Sequence, residues 1–153
     1  MTEVSIILPT YNRGDLLPRA VNSVIKQTFT DWEMILWDDG STDNTKEIVS
    51  RFSDNRIKFS SDENRGVAYA RNRALEKAGG KYIAFLDSDD EWVNDKLERQ
   101  VSIIENCTQI DALFGNFANV NLVKGEAGDG FTQNASSLAY LTTETLEPGV
   151  YLV

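Results

Sequence analysis

Histidine is absent from all 153 residues, and cysteine occurs once, at Cys107. These two gaps remove whole classes of chemistry: a histidine-based catalytic triad, histidine-ligated metals, disulfide frameworks and cysteine-rich zinc sites. Any metal held by this chain must be held through oxygen. A lone cysteine also fits a reducing compartment. No run of about 18 apolar residues is present, so nothing in the sequence spans a bilayer as a helix. The stretch Met1 to Pro9 lacks the basic start of a secretory signal and goes straight into a strand-like segment, so a cytoplasmic location is expected. Positive charge is scarce too, with 15 Lys and Arg against 24 Asp and Glu and a net charge of −9. That balance argues against a general nucleic-acid binder, which needs a basic footprint. It leaves room for a phosphorylated ligand if a metal neutralises both sides.

What is present reads as one soluble domain with a single core. Val4 to Leu8 is β-branched and apolar, and Pro9-Thr10-Tyr11-Asn12-Arg13-Gly14 breaks it with turn residues. Leu16, Leu17, Ala20, Val21, Val24 and Ile25 then recur at helical spacing, predicting a helix of about twelve residues. Glu33 to Trp37 is a second strand, ending on Asp38-Asp39-Gly40. Ser41-Thr42-Asp43 reads as the start of a helix with Ile48, Val49 and Phe52 as its apolar stripe. Arg56 to Phe59 predicts a third strand. Val67, Ala70, Ala74, Leu75 and Ala78 share one helical face, and Gly79-Gly80 ends that helix. Tyr82 to Leu86 is a buried strand that breaks abruptly into Asp87, Ser88, Asp89 and Asp90. Leu97, Val101 and Ile104 mark a further helix beginning near Asn94 or Asp95.

Strands alternating with helices predict an α/β fold with a mostly parallel sheet and helices on both faces. In such sheets ligands bind outside the carboxyl ends of the strands. The clusters Thr10-Tyr11-Asn12, Asp38-Asp39 and Asp87-Ser88-Asp89 all follow strands, so they should converge on one rim. Carboxylates there suit a hard divalent cation that also touches phosphate; the plainer reading of residues 87–90 is a solvated acidic turn. Beyond about residue 110 the pattern weakens. Ala112 to Phe114, Asn119 to Val123 and Gly149 to Val153 are short strand candidates, Lys124 to Gly130 reads as a hairpin tip or mobile loop, and Ser137 to Leu146 as a short helix.

Six motifs occur in order: Val4 to Arg13, Gln27 to Glu33, Asp38 to Asp43, Asn64-x-Gly-x-x-x-Ala-Arg-Asn72, Tyr82 to Asp90, and Asp95-Lys96-Leu97. Together they resemble the donor-binding half of a family 2 glycosyltransferase with the GT-A (Rossmann-like) fold, over residues 3 to 105. The resemblance implies that Pro9, Thr10 and Tyr11 cradle the base and ribose of a nucleotide-diphosphate sugar, with Tyr11 offering a stacking face. It assigns Asp39 to the imide N–H of uracil or thymine, an assignment that suits an ionised acceptor. Asp38 is left as a turn cap. Arg71 matches the arginine that faces the base or diphosphate, whose planar fork suits phosphate, while Arg73 reads as a solvated charge. Asp87-Ser88-Asp89 matches the family's D-x-D, with Asp87 and Ser88 near ribose or sugar and Asp89, with Asp87, on Mn2+ or Mg2+. Trp37 departs from the small aliphatic usual at its place, which puts the strand packing or the base pocket in question.

Implied by the same resemblance is an inverting sugar transfer, most simply from a UDP-sugar to a carbohydrate or lipid-linked acceptor of cell-envelope polysaccharide biosynthesis. The general base such a reaction needs has no convincing candidate here: Glu126, Asp129, Glu144 and Glu147 lack the family's surrounding pattern. It is expected beyond Val153. The division expected is a donor-binding core over 1–110 and an incomplete start of the acceptor side over 111–153, with the isolated chain weakly active or inactive. Membrane association is expected only through further segments. Two rivals stand beside this reading. One is a non-catalytic nucleotide-sugar-binding or regulatory half acting with a partner. The other is a receiver-type signalling module, which would need its acid pair after the first strand, where Thr10-Tyr11-Asn12 stands instead.

Overall fold

The structure, a computed structural model, describes residues 2–107 and 110–115, with the backbone of 118–121, 126–129 and 151–152. In chain order the elements are β1 (Val4–Thr10), α1 (Leu17–Ile25), β2 (Trp32–Asp38), α2 (Thr45–Val49), β3 (Ile57–Ser61), α3 (Val67–Leu75), β4 (Tyr82–Phe85), α4 (Lys96–Asn106), β5 (Ala112–Leu113), β6 (Ala118–Asn121), β7 (Glu126–Asp129) and β8 (Tyr151–Leu152). Six strands form one parallel sheet in the order β3-β2-β1-β4-β8-β5. β6 and β7 pair antiparallel as a separate ribbon. The expected alternation and parallel sheet are therefore observed, and the tip expected over 124–130 falls partly on β7.

β1 is buried at every residue because it is central, flanked by β2 and β4 and covered on both faces. Its alternate side chains feed two cores. Val4, Ile6 and Leu8 join Met34, Leu36, Tyr82 and Ala84 under α1, α2 and α4, whose apolar stripes contribute Leu17, Val21, Val24, Val49, Leu97 and Val101. Ile7 joins Ile35 and Trp37 under α3, where Ala70 and Ala74 let the helix approach closely.

Helix limits are shorter than their periodicity suggests. α1 has nine residues, because residues 14–16 form a turn in which the Leu16 amide donates to the Arg13 carbonyl, and the helix proper starts at Leu17. α2 starts at Thr45, later than the cluster Ser41-Thr42-Asp43; Asp43 reaches forward to accept from the Thr45 amide at 3.0 Å. α3 ends at Leu75 and begins beside Gly66, whose φ of 93° places it in the left-handed region. Val67 is 54% exposed, so it does not join the core face of α3 as its spacing suggests. The short-helix expectation over 137–146 lies outside the described residues. No helix among the described residues is long and apolar enough to cross a membrane.

Candidate functional site

Strand register decides which side chains meet. Thr10 lies opposite Asp38, and the Asp39 amide donates to the Thr10 carbonyl at 2.9 Å. On the other side Ile7 lies opposite Phe85, and the Leu86 amide donates to the Ile7 carbonyl at 3.1 Å. The chain leaving β1, β2 and β4 therefore emerges on one rim. There a cavity of about 570 Å³ is lined by Pro9, Thr10, Tyr11, Arg13, Asp39, Asn64, Gly66, Val67, Ala70, Arg71, Asp87, Ser88 and Asp89. All eight residues singled out in the sequence, Pro9, Thr10, Tyr11, Asp39, Arg71, Asp87, Ser88 and Asp89, line this one space.

Each arrives by a distinct local device. Thr10, 3% exposed, has a side-chain hydroxyl with no hydrogen-bond partner in the protein. A buried hydroxyl left unpaired at a cavity wall is costly unless a ligand or water completes it. Tyr11 is half-exposed against the same space. Asp39 is buried, and its two carboxylate oxygens accept the Arg65 amide at 2.9 Å and the Gly66 amide at 2.8 Å. Gly40 permits this approach: with φ at 76°, a Cβ there would stand 2.7 Å from the Asn64 amide nitrogen. Asp38 behaves as the turn cap expected of it, accepting from the Ser41 amide at 3.0 Å and the Ser61 hydroxyl at 3.1 Å.

Arg71 projects from α3 and places Nη2 2.5 Å from Asp87 Oδ1. Arg13 faces Asp89 from the opposite loop, Nε to Oδ2 3.9 Å. Ser88, between the two acids, is buried. Asp90 has its carboxyl pushed up by desolvation and then by the charges of Asp89 and Asp87. Arg73 takes no part in the cavity lining; it lies 5.5 Å from the Trp37 ring centroid and pairs with Glu76. Trp37 packs beneath α3 and does not line the cavity, so its departure from a small residue alters strand packing and not this pocket.

The sequence carries no signal for Arg13, because a single arginine in a turn is usually solvent-facing. Its loop is in fact sewn to the β2–α2 loop. The Asn12 amide donates to Ser41 Oγ at 2.9 Å, the Arg13 amide to Thr45 Oγ1 at 3.3 Å and the Gly14 amide to Asp43 Oδ2 at 3.1 Å. Asn12 Oδ1 in turn accepts the Thr42 amide at 2.8 Å, and Asn12 adopts a φ of 50° to do so. Hydroxyl and acid spacing in Ser41-Thr42-Asp43 is thus spent on holding the first loop, which could have been suspected from the excess of small acceptors there.

As a cation site, Asp87 and Asp89 offer only oxygen and both are exposed at the cavity wall. Among the described residues no three Asp, Glu, Cys or His side chains gather closely enough to hold a metal unaided. Two carboxylates at the wall of an open cavity fit a hard cation that takes its remaining ligands from a diphosphate or water.

Comparison with known proteins agrees with the geometry. The sequence profile of Glycosyl transferase family 2 matches residues 5–135. A curated relative from Escherichia coli, the UDP-Glc:alpha-D-GlcNAc-diphosphoundecaprenol beta-1,3-glucosyltransferase WfgD, is 46% identical over 119 residues, covering 77% of this chain and 47% of that protein. The chain thus spans about half the length of that relative. Staphylococcus aureus TarS 1-349 in complex with UDP-GlcNAc superposes with a TM-score of 0.69 at 33% identity, covering 74% of this chain and 34% of the other. The mannosyltransferase PcManGT of Pyrobaculum calidifontis, in complex with GDP-Man and Mn2+, gives a TM-score of 0.68 at 26% identity, over 75% and 36% of the two chains. With its parallel sheet and its cavity outside the carboxyl ends of the strands, this chain has the GT-A fold and belongs to glycosyl transferase family 2.

Proposed function

We propose that this chain is the donor-binding part of an inverting glycosyltransferase that takes a UDP-sugar together with Mn2+ or Mg2+. The observation that carries the reading is the single cavity onto which Pro9, Thr10, Tyr11, Asp39, Arg71, Asp87, Ser88 and Asp89 all open. Its two ends differ in chemistry. Around Asp39 and Tyr11 lie a carboxylate fixed by two backbone amides and an aromatic face, the pair an imide base requires. Around Asp87, Asp89 and Arg71 lie the charges a diphosphate and its cation require. The UDP-sugar named for the Escherichia coli relative and the UDP-GlcNAc held by the Staphylococcus aureus enzyme support uracil as the base. The Mn2+ in the Pyrobaculum calidifontis complex supports the cation.

In this reading Asp39, oriented by the Arg65 and Gly66 amides, uses its remaining lone pairs for the imide N–H. The Thr10 hydroxyl supplies an unused donor beside it. Asp87 and Asp89 hold the cation, and Arg71 faces the phosphates. When bound, a divalent cation supplies Lewis-acid stabilisation for the nucleoside diphosphate that leaves as the glycosidic bond forms. The donor core over 1–110 does this binding, and 111–153 begins the acceptor side. The diphosphoundecaprenol-linked substrate named for the relative supports a lipid-linked acceptor, and hence an approach to the membrane through other segments.

Thermal unfolding with UDP and Mn2+ tests the reading. At a hundredfold excess over Kd, linkage gives about 2.7 kcal/mol of stabilisation. It should require both components and disappear in Asp89→Ala. Equal stabilisation of that variant would place the cation elsewhere, and no stabilisation of the natural sequence would end the proposal.

A further inference from the structure

Both acids expected to hold the cation already have partners. Asp87 is paired with Arg71 at 2.5 Å, and Asp89 lies 3.9 Å from Arg13. The two arginines approach from different elements, Arg71 from α3 and Arg13 from the β1–α1 loop, and all four side chains line the same cavity. Neither pair is sealed in: exposures are 39% and 51% for Arg71 and Asp87, and 49% for both Arg13 and Asp89. Such pairs are held weakly enough to be exchanged. The base of the Arg13 side chain is nevertheless fixed, because the Asn12, Arg13 and Gly14 amides are bonded to Ser41, Thr45 and Asp43. The guanidinium can therefore swing between partners without the loop moving.

A carboxylate oxygen aligned on a guanidinium fork is not free to bind a cation at full strength, and a guanidinium held by a carboxylate is not free to bind phosphate. Resting on the donor-site reading above, we propose that Arg13 and Arg71 are exchange partners. Without cation they neutralise Asp89 and Asp87. When cation and nucleoside diphosphate enter together, the acids turn to the cation and both guanidinia turn to phosphate oxygens. Arg13 thereby becomes a second phosphate-binding residue facing Arg71 across the cavity. The exchange also makes cation and nucleotide cooperative, since each releases the side chains the other needs.

The signature is a pair of opposite signs. Measured by calorimetry, Arg71→Gln should bind Mn2+ alone about two- to fivefold more tightly, since a competing surface ion pair is lost. The same variant should bind UDP in saturating Mn2+ at least about tenfold more weakly, since a charged hydrogen bond is lost. Arg13→Gln should follow with the same signs and a smaller gain. Removing any nearby positive charge would also favour a cation, so a second measurement on the natural sequence separates exchange from a general field. In 1H–15N spectra of the arginine side chains, the Arg71 guanidinium signal should move toward a free arginine on adding Mg2+, and away again on adding UDP. A signal unmoved by saturating Mg2+, or Mn2+ binding unchanged or weakened in Arg71→Gln, overturns the exchange. Absence of UDP and metal binding by the natural sequence would instead overturn the donor-site reading beneath it.

Discussion

At the scale of single residues, Asp39 is the most demanding position. A carboxylate that accepts one backbone amide on each oxygen is oriented before any ligand arrives, and only the ionised form accepts in all directions. An Asn in its place must turn a donor toward either a backbone N–H or the base. Asp39→Asn should therefore weaken UDP binding by about 1.5–3 kcal/mol, the range for hydrogen bonds to charged groups. Calorimetry with UDP and Mn2+ would check this, and unchanged affinity would remove Asp39 from the proposed base contact. The sequence made the acid legible, because a strand ending in Asp38-Asp39 places it on the rim. It hid the clamp, because Arg65 and Gly66 lie 26 and 27 positions away and contribute backbone, which has no residue signature. Arg13 was hidden for a related reason: nothing local distinguishes an arginine aimed at Asp89 from one in solvent.

At the scale of elements, the opposite end of the sheet carries a polar lock that ties α3 to β4. Glu33, buried on β2, accepts the Ser5 hydroxyl at 2.6 Å, the Gly79 amide at 2.9 Å and the Lys58 ammonium at 2.5 Å. Ser5 accepts the Gly80 amide at 2.8 Å, and a Cβ on Gly80 would stand 2.5 Å from the Ser5 nitrogen. Burial works to raise the Glu33 carboxyl, but the hydrogen bonds from Lys58, Ser5 and Gly79 more than offset it and hold it below the ordinary 4.5. Its folded value lies under its unfolded one, so its stabilisation is complete above about pH 4.5 and is lost as pH falls through the folded value. Glu33→Ala leaves the buried Ser5 hydroxyl without its acceptor and frees the Gly79 amide, and should cost about 1–3 kcal/mol in urea unfolding at pH 7. The gap between natural sequence and variant should narrow on acidification below pH 4.5; a constant gap would show that charge plays no part. Periodicity revealed the strands and helices on either side of this lock. It could not reveal the lock, since Gly79-Gly80 reads locally as a helix stop and only the packing shows what passes so close to it. Helix starts were misplaced for a similar reason: Asp43, placed like a cap, is used partly by Gly14 from another loop.

At the scale of the whole molecule, the alternation of strands and helices was enough to give the sheet, its parallel sense and the rim on which the cavity opens. The order of strands beyond β4 was not legible. Gly149 to Val153 looked strand-like, but nothing in it says that β8 enters between β4 and β5. That placement has a consequence for how the molecule comes apart. β3, β2, β1 and β4 are joined in register over runs of four to seven pairs, all drawn from residues 4–85. β8 is joined to each neighbour by two pairs, and reaches 68 positions back to Ile83 and 39 back to Ala112. Long chain closures repaid by few bonds form late and open early. Native-state hydrogen exchange should find the amides of β1 protected to the limit of global unfolding, while those of β8 and β5 exchange through a smaller opening at lower free energy. Equal protection throughout would mean that the sheet melts as one unit. The strands that carry the cavity rim would then owe their persistence to the last strand to dock, and not, as the register implies, to a cooperative unit that is complete before it arrives.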